Sequence, residues 1–426
     1  MSSMSAFFKV NYHSTKSKAR LGTITTSHGV IQTPAFVPVG TKGTIKALTP
    51  SLIKDIGVQV SFVNTYHLVT HPGPEIIAKA GGIHAYSKMN ISLMSDSGGF
   101  QVFSLANHMR EHNNHKSQIT NDKSISNDKV QKNKKRAKLR GDDSEQPLVE
   151  KISEDGVKFR SLYDGQLIEF TPEKSMEYQR QIGADLLMAF DECTHYPATH
   201  EYAEKALTRT HEWLKRCIAY KKTRHDVFCP PHPKGAQAID KKHMSSFFHE
   251  QYLYGIIQGG TYEDLRIQSA KFISEQDVPG VAIGGVSVGE TKEEMREQVK
   301  WVAPYLPKDK PVHLLGVGQI DDIIDLVKYG IDTFDCVEPT RLGRMGTVYQ
   351  IQTSQIDINK SVFKMDLTRV DEKCGCYVCQ NFTKSYLHHL FKQREILGYT
   401  LATYHNLWVM EKLMEHIREM ILQGKM

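Results

Sequence analysis

Residues 311–337 read PVHLLGVGQIDDIIDLVKYGIDTFDCV and carry the pattern that decides the fold. A short apolar run at 312–315 ends in a glycine turn, and a helical pattern follows at 321–329. A second apolar run begins at residue 333. Short apolar runs that alternate with helices are typical of parallel strands buried on both faces. This stretch therefore predicts a strand, a helix and a second strand of one parallel sheet.

The same unit recurs along the chain. Helical patterns at 262–275 and 292–303 separate further apolar runs, each of which ends in a polar or glycine-rich turn. Eight such units favour an α/β fold of the closed (β/α)8 type, an irregular TIM barrel, over an open doubly wound sheet. No GxGxxG motif follows a strand, and the turn at Gly316 and Gly318 is interpreted as a loop. The eight predicted strands are 35–39, 58–63, 91–94, 185–190, 253–257, 281–283, 312–315 and 333–337.

Polar or glycine residues stand at the carboxyl ends of five of these strands. They are Asp96, Asp191, Gln258, the pair Gly284 and Gly285, and Asp335. Any one of the aspartates, taken alone, is more often a helix cap or a solvated loop charge. In a barrel, however, the carboxyl ends of all strands converge on one face, where active sites are built. The pattern therefore predicts one pocket lined by residues that are far apart in sequence.

A cysteine cluster near the C-terminus predicts a metal site. Cys374, Cys376 and Cys379 fall within six residues, and His405 follows later in the chain. Three thiols and one imidazole suit a closed tetrahedral zinc site better than separate disulfides. Four protein ligands leave zinc no open position, so we expect one structural ion and look for the reacting groups elsewhere.

Composition restricts the class of protein. The chain has 426 residues, of which 40% are hydrophobic and 24% charged, with a net charge of +6. These values are ordinary for a globular protein and compatible with nucleic acid binding. No apolar stretch approaches the length of a membrane span, and the start of the chain is polar and basic without an apolar signal segment. We therefore expect a cytoplasmic protein without membrane association.

The expected domain organisation has three parts. Residues 1–21 form an N-terminal segment, residues 22–345 the barrel, and residues 346–426 a zinc-binding subdomain with C-terminal helices. The barrel part contains a polar, basic insertion at about 107–147, which we expect to be disordered. The insertion is either an arm that contacts RNA phosphates or a solvated surface loop. A proline-containing stretch at about 223–249 predicts a second surface loop.

The residues at the predicted strand ends lie in motifs that resemble the tRNA-guanine transglycosylase family, its bacterial queuosine-pathway branch in particular. The motifs are SDSGGFQ at 95–101, FDEC at 190–193, QGG at 258–260, IGG at 283–285, FDC at 334–336 and PTRLGR at 339–344, followed by the four predicted metal ligands. The resemblance runs from about Gly22 to the C-terminus, apart from the two loops. It implies a (β/α)8 barrel with a zinc subdomain, and an enzyme that replaces guanine at the anticodon wobble position with a 7-deazaguanine base.

The resemblance also implies roles for single residues. Asp335 would be the nucleophile that attacks C1′ of the ribose, and Asp96 the general acid/base. The residues alone do not decide which of these two aspartates attacks. The base pocket implied by the family comprises Asp191, Gln258, Gly285, Phe100, Asn64 and Leu315, with Asn64 orienting Asp96. Phe100 stands where many bacterial members have tyrosine, so a hydroxyl contact is lost. Leu315 stands where methionine is common.

The implied partners are the tRNA anticodon stem–loop, the free base, and a second copy of the chain in a homodimer. Arg341 and Arg344 follow the predicted nucleophile and are expected to bind phosphates. For the inserted base we favour preQ1, the aminomethyl-deazaguanine, because Cys193 and Val288 match the bacterial pattern. Queuine stays an alternative, because Ser287 and Phe100 resemble the eukaryotic one.

Three other interpretations account for parts of the sequence. A catalytically silent tRNA-binding accessory subunit would lack the nucleophile, whereas Asp335 and Asp96 are both present. An archaeal-type relative normally carries extra C-terminal RNA-binding domains, and this sequence ends soon after the zinc region. A metal-dependent barrel hydrolase would need histidine or carboxylate ligands at strand ends, and those positions show no suitable histidine pair.

Overall fold

A computed structural model describes residues 7–100, 148–161, 165–223, 250–351 and 355–426, and its central eight-stranded sheet confirms the predicted barrel. All neighbouring strands in this sheet run parallel. The first and last strands of the sheet approach each other through a parallel bridge between Val39 and Phe62, which closes the barrel. The barrel strands are Ala35–Pro38, Val60–Val63, Ser92–Ser95, Leu186–Met188, Tyr252–Ile257, Gly280–Ile283, Val312–Leu314 and Thr333–Cys336.

Each of the eight predicted runs overlaps one of these strands, and no strand end differs from its predicted position by more than two residues. The predicted helices are also present, as Glu263–Glu275, Lys292–Val302 and Ile320–Leu326, the last two continued by 3-10 turns at Ala303–Tyr305 and Val327–Tyr329. The other helices around the barrel are Pro50–Ile56, Thr65–Thr70, Pro74–Lys79, Ile83–Ser87, Pro172–Ile182, His200–Thr223 and Glu338–Met345.

Local sequence signals set the ends of these helices. Thr291 forms a capping box with Glu294, in which each residue's side chain accepts a hydrogen bond from the other's backbone N–H. Thr171 caps the helix Pro172–Ile182, and proline occupies its first turn, where no N–H is needed. Gly183 ends that helix with a φ of 78°, a left-handed conformation that glycine adopts at little cost.

Two apolar layers hold the barrel together. Side chains that face the axis, among them Val37, Met94 and Tyr254, form one buried cluster. Their neighbours in sequence, such as Phe36 and Leu93, face outward and pack under the helices in a second, larger cluster. The division follows the strand geometry, in which successive side chains point to opposite faces. Because both faces are buried, each strand appears in the sequence as a continuous apolar run.

An antiparallel sheet that the sequence did not predict covers the amino-terminal end of the barrel. Its strands are Phe8–His13, Arg20–Thr26 and Gly29–Thr33. Ile24 and Ile31 are buried in the axial cluster, so the sheet closes this end. The middle strand spans residues 21 and 22, where the sequence predicted a domain boundary.

His28, at the turn of this sheet, joins it to the barrel. His28 Nδ1 lies 2.7 Å from Asp185 Oδ1, and His84 Nε2 lies 3.1 Å from Asp185 Oδ2. The two imidazole rings are stacked with centroids 3.4 Å apart. Although burial alone raises it, these contacts hold the pKa of Asp185 below its usual range. The three side chains belong to types that bind metals. Each ring is directed at a different carboxylate oxygen, which suits a structural link between the hairpin and the barrel.

Two further regions surround the barrel. A second unpredicted antiparallel sheet consists of Leu148–Ser153, Gly156–Arg160 and Leu167–Phe170. The C-terminal region contains the strands Thr347–Tyr349 and Gln355–Asp357, a 3-10 turn at Ser361–Met365, and the helices Tyr377–Asn381, Lys384–Gln393 and Ile396–Leu422. The last helix packs against Glu338–Met345 and Pro50–Ile56 of the barrel. Its Arg418 donates a 2.7 Å hydrogen bond to the carbonyl oxygen of Pro34.

Other predictions concern parts of the chain that are not described. The basic insertion at about 107–147 lies outside the described residues, as does the loop at about 223–249 apart from Thr223. Within the described ranges, no helix is both long and apolar enough to span a membrane. The division into domains stays a prediction.

Candidate active site and metal centre

Four of the predicted site residues lie at one level on four consecutive strands. The strand register pairs Ile257, Ile283, Leu314 and Phe334 with one another in that order. These four side chains face outward into the helix-covered cluster. The next residue on each strand therefore faces the barrel axis. These next residues are Gln258, Gly284, Leu315 and Asp335, so the carboxyl mouth of the barrel brings them together as the sequence predicted.

Asp335 is held at the mouth by two groups from the neighbouring strand and its turn. Its Oδ1 accepts a 3.0 Å hydrogen bond from the backbone N–H of Gly316 and lies 3.1 Å from Nε2 of His313. The residue is 8% exposed. Among the described residues no partner contacts Oδ2 at hydrogen-bond distance, so one carboxylate oxygen is fixed and the other is available to a ligand. The groups that hold this carboxylate are therefore His313 and Gly316.

Asp96 sits in a different environment at the same end of the barrel. Its Oδ1 accepts a 2.6 Å hydrogen bond from the backbone N–H of Thr65, and its Oδ2 accepts one from Nδ2 of Asn64. The hydrogen bond from Asn64 is the one expected from the sequence. Asn64 also caps the helix Thr65–Thr70 through Oδ1. Burial, reinforced by the charge of Asp191, raises the pKa of Asp96 to about 7 despite the hydrogen bonds from the backbone.

Asp191 and Gln258 form a direct pair. Nε2 of Gln258 donates a 2.7 Å hydrogen bond to Oδ2 of Asp191, and the hydroxyl of Ser97 donates to Oδ1 at 3.1 Å. Burial raises the pKa of Asp191 to about 6, against these two hydrogen bonds and together with the nearby charge of Glu192. Oε1 of Gln258 is buried and has no hydrogen-bond partner among the described residues. An unpartnered buried acceptor beside a carboxylate is suited to the donors of a polar ligand.

Two glycines leave room for this pair. A Cβ atom at Gly285 would lie 2.2 Å from Oε1 of Gln258, and one at Gly284 would lie 2.8 Å from Nε2 of the same side chain. Gly285 also has a φ of 62°. Only glycine therefore allows Gln258 its position. Leu315 is half-buried and borders the same space, 3.4 Å from the Cβ position of Gly284.

The turn after Gly285 is held by Glu290. The carboxylate of Glu290 accepts hydrogen bonds from the backbone N–H groups of Ser287 and Val288, the second at 2.9 Å. Ser287 has a φ of 62°, a left-handed conformation that is uncommon for a residue other than glycine. Cys193 is 8% exposed, and burial raises the pKa of its thiol to about 12. The thiol that borders this turn is therefore neutral.

The other predicted residues lie further out. Phe100 is 48% exposed at the last described residue before the insertion. Arg341 and Arg344 lie on the helix Glu338–Met345, directly after the strand of Asp335; Arg341 is exposed, and Arg344 donates a hydrogen bond to the carbonyl oxygen of Thr340 at 2.8 Å. His313 and Ser97 also belong to the site but were not predicted from the sequence. Ser97 lies in the SDSGGFQ motif, and His313 is a polar residue within a strand that is otherwise apolar.

The predicted metal ligands form a buried cluster. The ligand atoms of Cys374, Cys376, Cys379 and His405 all lie within 4.8 Å of one another. Nδ1 of His405 is 3.4 Å from the sulfurs of Cys376 and Cys379 and 3.8 Å from that of Cys374. Tetrahedral zinc would separate a nitrogen and a sulfur ligand by roughly 3.6 Å. The four residues can therefore hold a metal ion.

A neighbouring carbonyl group prepares His405 for this role. Nε2 of His405 lies 2.7 Å from the carbonyl oxygen of Tyr349. The proton of the neutral ring is therefore on Nε2, which leaves the lone pair of Nδ1 facing the three sulfurs. Since the four side chains are also buried, the cluster has the features of a closed structural site.

Comparisons with known proteins show which family the sequence resembles. The sequence model of the family described as "Queuine tRNA-ribosyltransferase" matches residues 14–136 and 142–426. A protein of that name from Caldanaerobacter subterraneus is 41% identical over 411 residues, which cover 96% of this chain and 92% of the relative. Proteins of the same name from Natranaerobius thermophilus and Synechococcus elongatus are 40% and 39% identical, over 98% and 100% of this chain and 95% and 94% of the relatives.

Proposed function

This chain belongs to the queuine tRNA-ribosyltransferase family, and we propose that it replaces guanine at the anticodon wobble position of tRNA with a 7-deazaguanine base. The reaction cleaves one C1′–N9 glycosidic bond and forms another at the same ribose. The observation that carries the proposal is the presence of two aspartates with different surroundings at one barrel mouth. Asp335 has one fixed and one available oxygen. Asp96 has a pKa raised to about 7.

Asp335 is the proposed nucleophile. A carboxylate oxygen of Asp335 bonds to C1′ while the C1′–N9 bond breaks. The electron pair of the broken bond moves to the purine. Asp96, in its protonated form, gives a proton to the departing guanine and becomes a carboxylate. The incoming base then returns a proton to Asp96 and attacks C1′, which breaks the bond between C1′ and Asp335. Both aspartates thus return to their initial states, and no further reactant is consumed.

Asp191, Gln258 and Gly285 are proposed to recognise the purine. The N1–H and N2–H donors of guanine suit the carboxylate of Asp191, while O6 accepts from Nε2 of Gln258 and from the backbone N–H of Gly285. In the structure Nε2 of Gln258 donates a hydrogen bond to Asp191, so this hydrogen bond has to break when the base binds. Phe100 and Leu315 would face the two sides of the flipped base.

The proposed incoming base is preQ1. The half-buried Val288 follows Ser287 in the turn held by Glu290, and its branched side chain leaves less room than glycine would. Queuine carries a bulkier group beyond the aminomethyl nitrogen and is the second candidate. A competition assay with both bases on the purified protein distinguishes them. A tenfold preference for queuine, about 1.4 kcal/mol, would overturn the choice of preQ1.

The metal proposed for the cysteine cluster is zinc. Bound by four protein ligands, a zinc ion supplies local folding energy and no open position for chemistry. Arg341 and Arg344 are proposed to bind tRNA phosphates on both sides of the target nucleotide. We place the protein in the cytoplasm, where its tRNA substrate is found.

A homodimer is the proposed assembly. Three apolar side chains of the C-terminal region are strongly exposed: Val362, Leu367 and Met365, at 71%, 75% and 82%. Exposed apolar groups that lie close in sequence are typical of interaction surfaces. Sedimentation analysis of Met365→Glu should show dissociation to monomers, whereas Val30→Glu, on the hairpin sheet, serves as a control of similar chemistry. Unchanged dimers of Met365→Glu, or a monomeric native protein, would contradict this assembly.

The base exchange itself is tested with radiolabelled guanine. The purified protein is incubated with tRNA and labelled guanine, and the labelled nucleotide is then mapped. We expect label at the wobble position only, and none with Asp335→Asn. Label elsewhere in the tRNA, or no incorporation by the native protein, would refute the proposed activity.

A further inference from the structure

Arg266 is a fully buried arginine that connects the two glycine turns of the base pocket. It lies in the first turns of the helix Glu263–Glu275 and is 0% exposed. Its guanidinium donates to four backbone carbonyl groups and one side chain. The acceptors are Gly260 at 2.7 Å, Ile257 at 3.4 Å, Gly284 at 2.6 Å, Gly285 at 2.6 Å and Oε1 of Gln298 at 2.7 Å.

No carboxylate pairs with the charge of Arg266 in the part of the chain that the structure describes. Among the described residues, none of the ion pairs involves Arg266, and its donors are met by neutral oxygens. Burial lowers the pKa of Arg266 to about 10, while the charge of Glu290 acts in the opposite direction. A group with this pKa keeps its proton at neutral pH. The region beneath the pocket therefore contains a positive charge in a desolvated position, where its field is screened less than at the surface.

The contacts of Arg266 fix the direction of a particular N–H group. In a trans peptide the C=O and the N–H point in opposite directions. Because the carbonyl of Gly284 points at Arg266, the N–H of Gly285 points away from it. Gln258 lies close by, since a Cβ atom on Gly285 would come within 2.2 Å of its Oε1. The carbonyl of Ile257, which precedes Gln258, also accepts from Arg266, so one guanidinium anchors both proposed donors to the purine O6.

We propose that Arg266 is a positioning residue for base exchange. It holds the Gly284–Gly285 peptide so that the Gly285 N–H donates to the purine O6, and its buried charge stabilises the negative charge that spreads to O6 as the C1′–N9 bond breaks. This inference rests on the proposed function and adds to it the group that organises the pocket. If Arg266 had a purely structural role, its replacement would weaken the binding of purines with and without O6 equally.

The test compares two purines in Arg266→Lys. Guanine has O6, whereas 2-aminopurine lacks it and keeps the 2-amino group. Calorimetric binding of each base to wild-type and variant protein requires no turnover, so failure of the proposed function appears separately, as a lack of guanine exchange by the wild type. We expect a loss of guanine affinity of tenfold or more, a change for 2-aminopurine of less than threefold, and an unchanged KM for tRNA. Lysine offers a compact ammonium group in place of five planar donors and reaches fewer of these oxygens.

Two further variants complete the experiment. Arg296→Lys makes the same substitution on the surface helix Lys292–Val302, where Arg296 pairs with Asp322, and should change neither affinity. If Arg266→Lys does not fold, Gln298→Met removes one acceptor of the guanidinium, and the same selective loss for guanine is expected at a smaller size. An equal loss for both purines, or no loss for either, would overturn the proposal.

Discussion

His313 and Asp335 contact each other on adjacent strands of the barrel, with Nε2 of the imidazole 3.1 Å from Oδ1 of the carboxylate. Nδ1 of the same ring lies 2.8 Å from the hydroxyl oxygen of Thr333. A neutral ring satisfies both contacts when Nε2–H donates to Asp335 and Nδ1 accepts from Thr333. His313 is 0% exposed, so its orientation is fixed by packing as well. The proposed nucleophile is thus oriented by a side chain from within the barrel.

Replacing His313 should slow covalent capture of tRNA. In His313→Leu the Oδ1 atom of Asp335 loses one of its two donors. A hydrogen bond to a charged group contributes about 1.5–3 kcal/mol, so we expect a rate of adduct formation lower by roughly 10- to 150-fold. His313→Gln, which keeps an N–H donor, should recover part of this loss. Rapid-quench measurement of the adduct checks both variants, and a leucine variant as fast as the wild type would exclude the orienting role.

Asp335→Asn should abolish the covalent intermediate while the fold remains. The amide has nearly the same shape but is a far weaker nucleophile than a carboxylate. Denaturing gels should show no protein–tRNA adduct, and the melting temperature should stay close to that of the wild type. Asp309→Asn changes an exposed aspartate in the same way and should form the adduct normally. Base exchange by Asp335→Asn at a near wild-type rate would show that another group attacks C1′.

The pKa of Asp96 predicts how the first chemical step depends on pH. In the proposed reaction, release of guanine requires the protonated carboxyl group of Asp96. With a pKa of about 7, the protonated fraction of this group falls about tenfold for each pH unit above 8. Single-turnover adduct formation should therefore be fastest below pH 7 and decline above it. Asp96→Ala should lose about 10²- to 10⁴-fold in rate and the declining limb of the profile. A wild-type profile that is flat from pH 6 to pH 9 is incompatible with this role.

The sequence predicted the barrel because its strands are buried on both faces. Each strand has a run of apolar residues, as in Val60–Val63 and Gly280–Ile283, and the runs alternate with helices. The two three-stranded antiparallel sheets were missed for the opposite reason. The strand Phe8–His13 alternates half-buried and exposed residues, and its charged and polar side chains hide it among loops. Apolar runs in the sequence thus predicted the strands that are buried on both faces. The partly exposed strands have no such runs and became apparent only in the structure.

The site could be predicted to the extent that its residues stand at strand ends. Asp96, Asp191 and Asp335 were found by that rule, because parallel strands bring their carboxyl ends to one edge. His313 lies inside a strand and Arg266 inside a helix, so no rule about strand ends applies to them. Their contacts depend on strand register and on the direction of single peptide groups, which one sequence does not reveal.

Cys376→Ala should remove the metal and unfold the C-terminal region locally. The sulfur of Cys376 lies 3.4 Å from Nδ1 of His405, and a structural zinc ion contributes on the order of 10 kcal/mol of folding energy. We expect the zinc content to fall from about one ion per chain to none, with weaker tRNA binding. Cys217→Ala removes a buried thiol from the helix His200–Thr223 and should keep its zinc. Equal zinc contents in the two variants would show that Cys376 is not a ligand.

Glu411 in the last helix predicts a stability that depends on pH. It is 5% exposed, and burial raises its pKa to about 8 against the attraction of Arg418. Between the ordinary pKa of about 4.5 and this value, the unfolded chain loses the proton and the folded chain retains it. The contribution of Glu411 to stability therefore declines as pH rises from 4.5 to 8 and is constant above pH 8.

Glu411→Gln should remove this decline, because the amide imitates the protonated carboxyl group at every pH. The gain in unfolding free energy should be near zero at pH 4, rise to at most ~4 kcal/mol by pH 8, and change little beyond it. Chemical denaturation at several pH values measures it. Glu415→Gln on the same helix alters an exposed carboxylate that pairs with Lys412, so it should show no such rise. A gain for Glu411→Gln that is the same at pH 4 and pH 8 would mean that Glu411 titrates alike in the folded and unfolded chains.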